Sequence, residues 1–378
     1  MSNAASDFNM QKLNTKQLAD NIRATIDFGG NLIVVGRRGS AKTASAKQQI
    51  AASGCREVYL NLSTMERPDM GGYPNFHGKN EGGYIEFLLP AFYKALMQTH
   101  DEDGNALPPA VALLDEVDKA EPALWAPLLE FIQFHSINGR PLANLRAVIM
   151  TGNLVAEGGQ RPCLPLLDRA EKYLLEPTVH HWLDWGRDSG EIHPSVAAFI
   201  ADHPEELFGD VDNGDLYADP SPRGWHNGSK ILFFGEARNW NTDLLTDKVA
   251  GCIGKKAGIR YRAYFEHYKE LLPVIEKILK GEPATGFEKF DPGKQMVACM
   301  ISCARFAMLL DSRKNKKQLP VEADYVSDFL LNSGVDPETV LVSVRSQIGL
   351  KKFLETDLGD HPAWSSILDN LKKRVNGV

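Results

Sequence analysis

The sequence predicts an α/β fold, a parallel sheet covered by helices on both faces and followed by an all-helical region. Three observations lead there. Short, nearly continuous apolar runs recur through the first half, among them Leu32–Val35 and Val111–Leu114, and such runs mark strands covered on both faces. Helix-period segments alternate with them, which is the order a parallel sheet needs. After about His180 the strand signal fades and helical patterns remain.

From Gln11 to Phe28, the spacing of Leu13, Leu18, Ile22 and Ile26 predicts a helix, stopped at Gly29-Gly30-Asn31. Leu32–Val35 is the first strand. A Gly-rich turn leads into a helix over about Thr43–Ala52, and Val58–Leu62 is the second strand. A helix over Ala91–Gln98, a strand over Val111–Leu114, a helix over Ala123–Phe134, and strands at Ala147–Met150 and Tyr173–Leu175 complete this part. Helices are expected at Val196–Ala201, Ser229–Leu232, Leu244–Cys252, Ile259–Leu279, Lys294–Leu310, Ala323–Asn332, Pro337–Ile348 and Trp364–Val375. The expected division is a tag-like N-terminus over 1–10 (Ser2-Asn3-Ala4 has the look of a cloning scar), a core over 11–180 and a helical remainder over 181–378.

The chain has 378 residues, enough for two or three domains at roughly 150 residues each and for a core that needs no staples. Forty-two basic and 49 acidic residues give a net charge of −7, which disfavours a dedicated, sequence-blind DNA binder. Five scattered cysteines, with Cys299 and Cys303 at helix-core spacing, fit free thiols in a reducing cytoplasm. No apolar run approaches the roughly 18 residues needed to span a bilayer, and the N-terminus lacks the design of a signal peptide, so a cytoplasmic location is expected. The adjacent His180-His181 has no company that would make a structural metal site.

The chemistry concentrates at strand ends. Gly36-Arg37-Arg38-Gly39-Ser40-Ala41-Lys42-Thr43 fits a phosphate loop between a buried strand and a helix. Its backbone N–H groups and the helix N-terminus make an anion site. Lys42 would reach the β- and γ-phosphates of a nucleotide, and the Thr43 hydroxyl would hold Mg²⁺. Ala41 stands where glycine is usual; the position opens the helix and is expected to need no positive φ. The strand Val111–Leu114 closes on Asp115 and Glu116. Beside a phosphate loop, Asp115 would orient Mg²⁺ through water and Glu116 would polarise the attacking water; standing alone, the pair would be a solvated strand end. Asn153, after the strand Ala147–Met150, can touch both attacking water and γ-phosphate if that strand lies between the other two; otherwise it is an ordinary turn residue. Arg169 and Arg223 would neutralise charge on the transferring phosphoryl group, Arg169 from a neighbouring subunit and Arg223 from a lid; either could instead be a surface residue paired with a carboxylate.

In this order and spacing, these residues resemble an AAA+ ATPase: Walker A (36–43), Walker B (111–116), sensor 1 (Asn153), arginine finger (Arg169) and sensor 2 (Arg223). The resemblance covers about residues 11–240. Ala41 before the lysine, Leu62-Ser63-Thr64 through Gly71-Gly72, Gly158-Gly159 through Asp168-Arg169, and Ser221-Pro222-Arg223-Gly224-Trp225 are similar to the MoxR-like, helix-2-insert group that includes CbbQ/NorQ and McrB relatives. It implies a P-loop αβα sandwich with a five-stranded sheet of order 5-1-4-3-2, a helical lid, ATP and Mg²⁺ as cofactors, and a ring, usually hexameric. It also implies two insertions: a hairpin at Ser136–Pro141, where Asn138-Gly139 is a good turn, and a segment around Asp69–Tyr84, for which an ordinary surface loop is the lesser alternative. Members of the group remodel proteins, many with a partner that carries a von Willebrand factor A domain. The region after about residue 241 resembles nothing specific. Two rival readings stay open: a DNA-directed motor, because McrB-like relatives move DNA, although the basic clusters at Lys255-Lys256 with Arg260 and Arg262 and at Arg313–Lys317 read by default as solvated charge runs, and a nucleotide-gated scaffold with little turnover.

Overall fold

The structure is a computed structural model and describes residues 10–75, 86–155, 160, 162–209, 220–284, 287–312, 319–349, 353 and 356–375. The chain divides into two compact units, Met1–Thr178 and Val179–Val378. Gly158-Gly159, the Arg313–Lys317 cluster, Ser2-Asn3-Ala4 and most of the second expected insertion lie outside the described residues.

The first unit runs, in chain order, through β1 (Gln11–Leu13), α1 (Thr15–Phe28), β2 (Asn31–Gly36), α2 (Lys42–Ala52), β3 (Arg56–Asn61), α3 (Arg67–Gly71), β4 (Tyr73–Asn75), β5 (Glu86–Leu88), α4 (Phe92–Met97), β6 (Ala110–Asp115), α5 (Trp125–Phe134), β7 (Ser136–Ile137), β8 (Arg140–Pro141), β9 (Leu145–Gly152), α6 (Leu164–Leu167) and β10 (Glu171–Leu175). Its main sheet has the order β1-β10-β2-β9-β6-β3, and every neighbouring pair is parallel. With β2 counted as the first strand, this is the expected 5-1-4-3-2 order with one strand added at the edge.

That sixth strand corrects the helix expected from Gln11. Asn14 interrupts it: its side chain accepts from the Gln17 N–H at 2.9 Å, while the Gln17 side chain accepts from the Asn14 N–H at 3.0 Å. This reciprocal cap starts α1 at Thr15. Gln11–Leu13 is thereby left extended and pairs with Tyr173–Leu175.

The period of two along each central strand decides the layers. Ile33, Val35, Ala112, Leu114, Val148 and Met150 share one core with Tyr93, Leu96, Leu128, Phe131 and Leu166 from α4, α5 and α6. Leu32, Val34, Val111, Leu113, Ala147 and Ile149 share the other with Leu18, Ile22, Ile26, Ala46 and Ile50 from α1 and α2. Each large aliphatic side chain among them, fully buried, contributes about 1.5–3 kcal/mol. The fold is a P-loop αβα sandwich.

Two small hairpins accompany it. β7 and β8 pair antiparallel around Asn138 (φ 49°) and Gly139 (φ 72°), the left-handed pair that a two-residue hairpin turn demands. β4 pairs antiparallel with β5 across the segment where the second insertion was expected.

The second unit is helical: α7 (Val179–Ser189), α8 (Pro194–Asp202), α9 (Pro222–Glu236), α10 (Thr242–Ile253), α11 (Lys255–Leu279), α12 (Pro292–Ser312), α13 (Glu322–Asn332), α14 (Pro337–Gln347) and α15 (Pro362–Val375). Helix α9 begins well before the apolar run at Ser229 because the Ser221 hydroxyl caps it, accepting from the Gly224 N–H at 3.1 Å. The core of this unit is aromatic, with Trp225, Tyr261, Phe265, Tyr268 and Phe199 all buried. All five cysteines are free; Cys299 and Cys303 are buried, the other three partly so. Among the described residues, no helix is long and apolar enough to cross a membrane.

Candidate active site

The C-terminal ends of β2, β6 and β9 lie side by side, and the sheet register explains why. Val35 pairs with Gly152 and Leu114 with Met150, so the residues that follow each strand emerge at one edge. Lys42, Thr43, Asp115, Glu116 and Asn153 converge there.

The loop is wound around its own lysine. Lys42 is buried at 7 % exposure, and its Nζ donates to the carbonyl oxygens of Gly36 and Arg37, each at 2.8 Å, and to Asn153 Oδ1 at 3.2 Å. A buried ammonium needs such acceptors to offset its lost hydration. Ser40 Oγ also donates to the Arg37 carbonyl, at 2.6 Å. Gly36 is required by packing: a Cβ there would come within 2.9 Å of the Leu175 carbonyl on β10. Gly39 has φ 71°. Arg37 is half-buried and Arg38 exposed. Ala41 corrects an expectation, since it caps α2 in the left-handed region with φ 67° and ψ 20°.

Asp115 is the hub of the site. Thr43 Oγ1 donates to its Oδ1 at 3.0 Å, Thr151 Oγ1 donates to the same oxygen, and the Tyr59 hydroxyl donates to Oδ2 at 3.0 Å. Burial, and then the bond to Asp115, push the Tyr59 phenol up to about 12, so it remains a donor. A carboxylate and a threonine hydroxyl in contact are a hard-oxygen donor set that suits Mg²⁺.

Glu116 turns off the strand in the left-handed region, φ 56°. A hydrogen bond from Ser63 and an ion pair with Lys119 at 3.0 Å lower its pKa against the opposing effects of burial and Asp115. It is therefore a carboxylate at neutral pH, the state a water-activating base requires. Asn153 is fixed by Asp118, which is 1 % exposed: Asp118 Oδ1 accepts from the Asn153 N–H at 2.9 Å and Oδ2 from the Asn153 amide at 3.4 Å.

Arg169 lies away from this cluster. Arg169 precedes β10, and its backbone carbonyl accepts from Asn31 at the start of β2. It thus sits at the opposite edge of the sheet from Lys42, separated by the length of β2, roughly 16 Å at about 3.3 Å per residue. Its Nε donates to Gln133 Oε1 at 2.7 Å and its Nη1 to the Pro165 carbonyl at 2.6 Å. Arg223 is exposed in the first turn of α9, in the helical unit.

Tyr59, Ser63, Asp118 and Lys119 were not marked by sequence reasoning. Asp115-Glu116-Val117-Asp118-Lys119 did carry a signal, because four charges in five residues are more than the end of a buried strand needs for solvation.

No family model matches this chain, and no curated protein matches it. Among solved structures it is similar to the Thermotoga maritima RuvB Holliday junction branch migration motor at 13% identity, covering 70% of this chain and 74% of that one with a TM-score of 0.36. A point mutant of the same protein aligns at 12% identity over 90% of this chain and 85% of its own, TM-score 0.37. NtrX from Brucella abortus in complex with ADP aligns at 14% identity over 63% of this chain and 68% of its own, TM-score 0.29. These are likenesses of chain arrangement only.

Proposed function

We propose that this chain is an AAA+ ATPase of the MoxR-like kind, which hydrolyses ATP in a ring and uses the cycle to remodel a protein partner. Residues 11–180 are its nucleotide-binding core, and 181–378 its lid and C-terminal helical domain. The observation that carries the reading is the meeting of Lys42, Thr43, Asp115, Glu116 and Asn153 at one strand edge.

In this reading the loop N–H groups and the Lys42 ammonium hold the β- and γ-phosphates, with phosphate oxygens replacing the carbonyls of Gly36 and Arg37 as acceptors. Gly39, Ser40 and Ala41 shape the turn, and Arg37 and Arg38 stand at its mouth. Thr43 and Asp115 hold the magnesium of the nucleotide. Mg²⁺, when bound, supplies charge neutralisation on the phosphate oxygens. Glu116 accepts a proton from the attacking water, and Asn153 orients that water against the γ-phosphate. Arg169 acts on the site of a neighbouring subunit, which its place at the far edge of its own sheet supports; Arg223 acts from the lid. The ring, hexameric in this group, and a partner bearing a von Willebrand factor A domain follow from the resemblance.

ATP binding and turnover test the reading, measured on the parent, Glu116→Gln and Lys42→Ala with and without added DNA. Glu116→Gln is expected to keep ATP binding and lose about 10²–10⁴-fold in kcat, whereas Lys42→Ala loses binding. Parental turnover in Glu116→Gln removes the catalytic assignment, and stimulation by DNA at physiological salt makes the chain a DNA-directed motor instead.

A further inference from the structure

Asp118 has no role in the chemistry just described, yet it is among the most buried charged residues of the unit, at 1 % exposure. Burying a carboxylate beside a phosphate site is costly unless its bonds achieve something specific. Both oxygens go to one residue: Oδ1 accepts from the Asn153 backbone N–H and Oδ2 from its side-chain amide. The contact is tight on the strand side too, since a Cβ on Gly152 would come within 3.2 Å of Asp118 Oδ1. The Asp118 carbonyl accepts from the Gln160 N–H at 2.9 Å, which ties the same turn to the segment leading toward Arg169.

The bonding partners dictate which way the Asn153 amide faces. An ionised carboxylate only accepts and an ammonium only donates. Asp118 therefore takes an N–H of Nδ2, and Lys42 takes Oδ1 at 3.2 Å. The amide carries two N–H groups; with one held by Asp118, the orientation of the second is set.

We propose that Asp118 is the positioning residue for Asn153: its carboxylate holds the amide so that the second N–H is the one offered to the γ-phosphate or the attacking water. The inference rests on the ATPase reading. Asp118 touches no reacting atom and acts only through Asn153. The substitution Asp118→Asn keeps shape and volume but puts a donor where only an acceptor stood. The introduced amide would satisfy the Asn153 backbone N–H with its oxygen and turn its own N–H toward the Asn153 side chain. Asn153 then answers with Oδ1, and its N–H groups swing toward the Lys42 ammonium.

The experiment is a double-mutant cycle on the full chain with Asp118→Asn, Asn153→Ala and the pair, measuring kcat, KM for ATP, ATP affinity and Tm. Asp118→Asn is expected to lower kcat by about 100-fold, the scale of a misplaced catalytic group, with ATP affinity and KM little changed. In the Asn153→Ala background the same substitution is expected to have no further effect on kcat. Equal losses in both backgrounds, or parental kcat in Asp118→Asn, overturn the proposal while leaving the ATPase reading intact. A parent that hydrolyses no ATP sinks both. If Asp118→Asn folds poorly by Tm, Asp118→Ser carries the same expectations, because its short hydroxyl cannot span to the Asn153 amide.

Discussion

The Thr43 hydroxyl donates to Asp115 Oδ1 across 3.0 Å, so the first turn of α2 and the end of β6 are joined at the two side chains proposed to face magnesium. Asp115 also binds Thr151 and Tyr59, which leaves the carboxylate little freedom to reorient. Thr43→Val keeps the shape of the side chain and removes the hydroxyl. A hydrogen bond to a charged group contributes about 1.5–3 kcal/mol, so affinity for MgATP is expected to fall by roughly 10–100-fold. Affinity for ADP without magnesium is expected to stay at the parental value. Calorimetric titration in the presence and absence of Mg²⁺ checks this, and equal losses in both conditions would show that Thr43 acts on the nucleotide alone.

The sheet could be read from sequence because β2, β6 and β9 are covered on both faces, which forces uninterrupted apolar runs. β1 could not. It is three residues long, too short to show an alternation; Leu13, five residues before Leu18, falls off the four-residue step of Leu18, Ile22 and Ile26, and the side-chain cap at Asn14 divides strand from helix. At the candidate site, the loop and strand-end residues stand out in the sequence because the proposed phosphate loop fixes their order along the chain. Ser63 and Tyr59 were hidden because their roles depend on which strands become neighbours; for Asp118 the charge density after β6 was a local signal, but its bond to Asn153 also depends on β6 and β9 being neighbours. Ala41 failed for a different reason: helix-start logic assigns an extended conformation to the cap, whereas this loop must turn sharply to enclose Lys42.

Ala41 at φ 67° carries a Cβ in a region that costs an L-residue about 1–2 kcal/mol. Ala41→Gly relieves that strain but adds about 0.4–1 kcal/mol of unfolded-chain entropy. The expected result is a net gain in stability of up to about 1.6 kcal/mol, read as a higher urea midpoint with an unchanged slope. A lower midpoint would mean that the Ala41 methyl makes packing contacts worth more than the strain.

Arg169 is held at the far edge of its own sheet by Gln133 and Pro165. These bonds are exposed, so Arg169→Ala is expected to change Tm little, in keeping with the small contribution of exposed polar contacts. ATPase activity, in contrast, is expected to collapse. Mixing inactive Arg169→Ala chains with inactive Glu116→Gln chains is then expected to restore part of the activity, since some interfaces pair an intact Glu116 with an intact Arg169 from the neighbour. A mixture as inactive as its components would place the two residues in the same chain's site.

The helical unit contains a partly buried ionisable cluster, centred on the buried His193, with a definite pH signature. His193, 2 % exposed, faces Glu236 Oε2 through Nε2 at 3.1 Å and the Ser195 hydroxyl through Nδ1 at 2.6 Å; Lys269 Nζ lies 3.0 Å from Glu236 Oε1. Burial drives the His193 pKa below 6.5, against the pull of Glu236. Burial would raise the Glu236 pKa, but the hydrogen bond from His193 and the Lys269 ammonium outweigh it and lower the group to about 2. His193 and the Lys269 ammonium together keep Glu236 ionised. In both groups the folded pKa lies below the unfolded one, so the unfolded chain binds more protons on acidification and stability falls with pH. The His193 contribution is fully present above about 6.5 and is lost as pH falls below it; the Glu236 contribution is lost below about 4.5, down toward 2. Urea midpoints are therefore expected to drop from pH 7 to pH 4. Glu236→Gln is expected to lower the midpoint at pH 7 and to flatten the profile below about 4.5. A parental midpoint that stays level across this range would show that His193 and Glu236 titrate alike in the folded and unfolded chain.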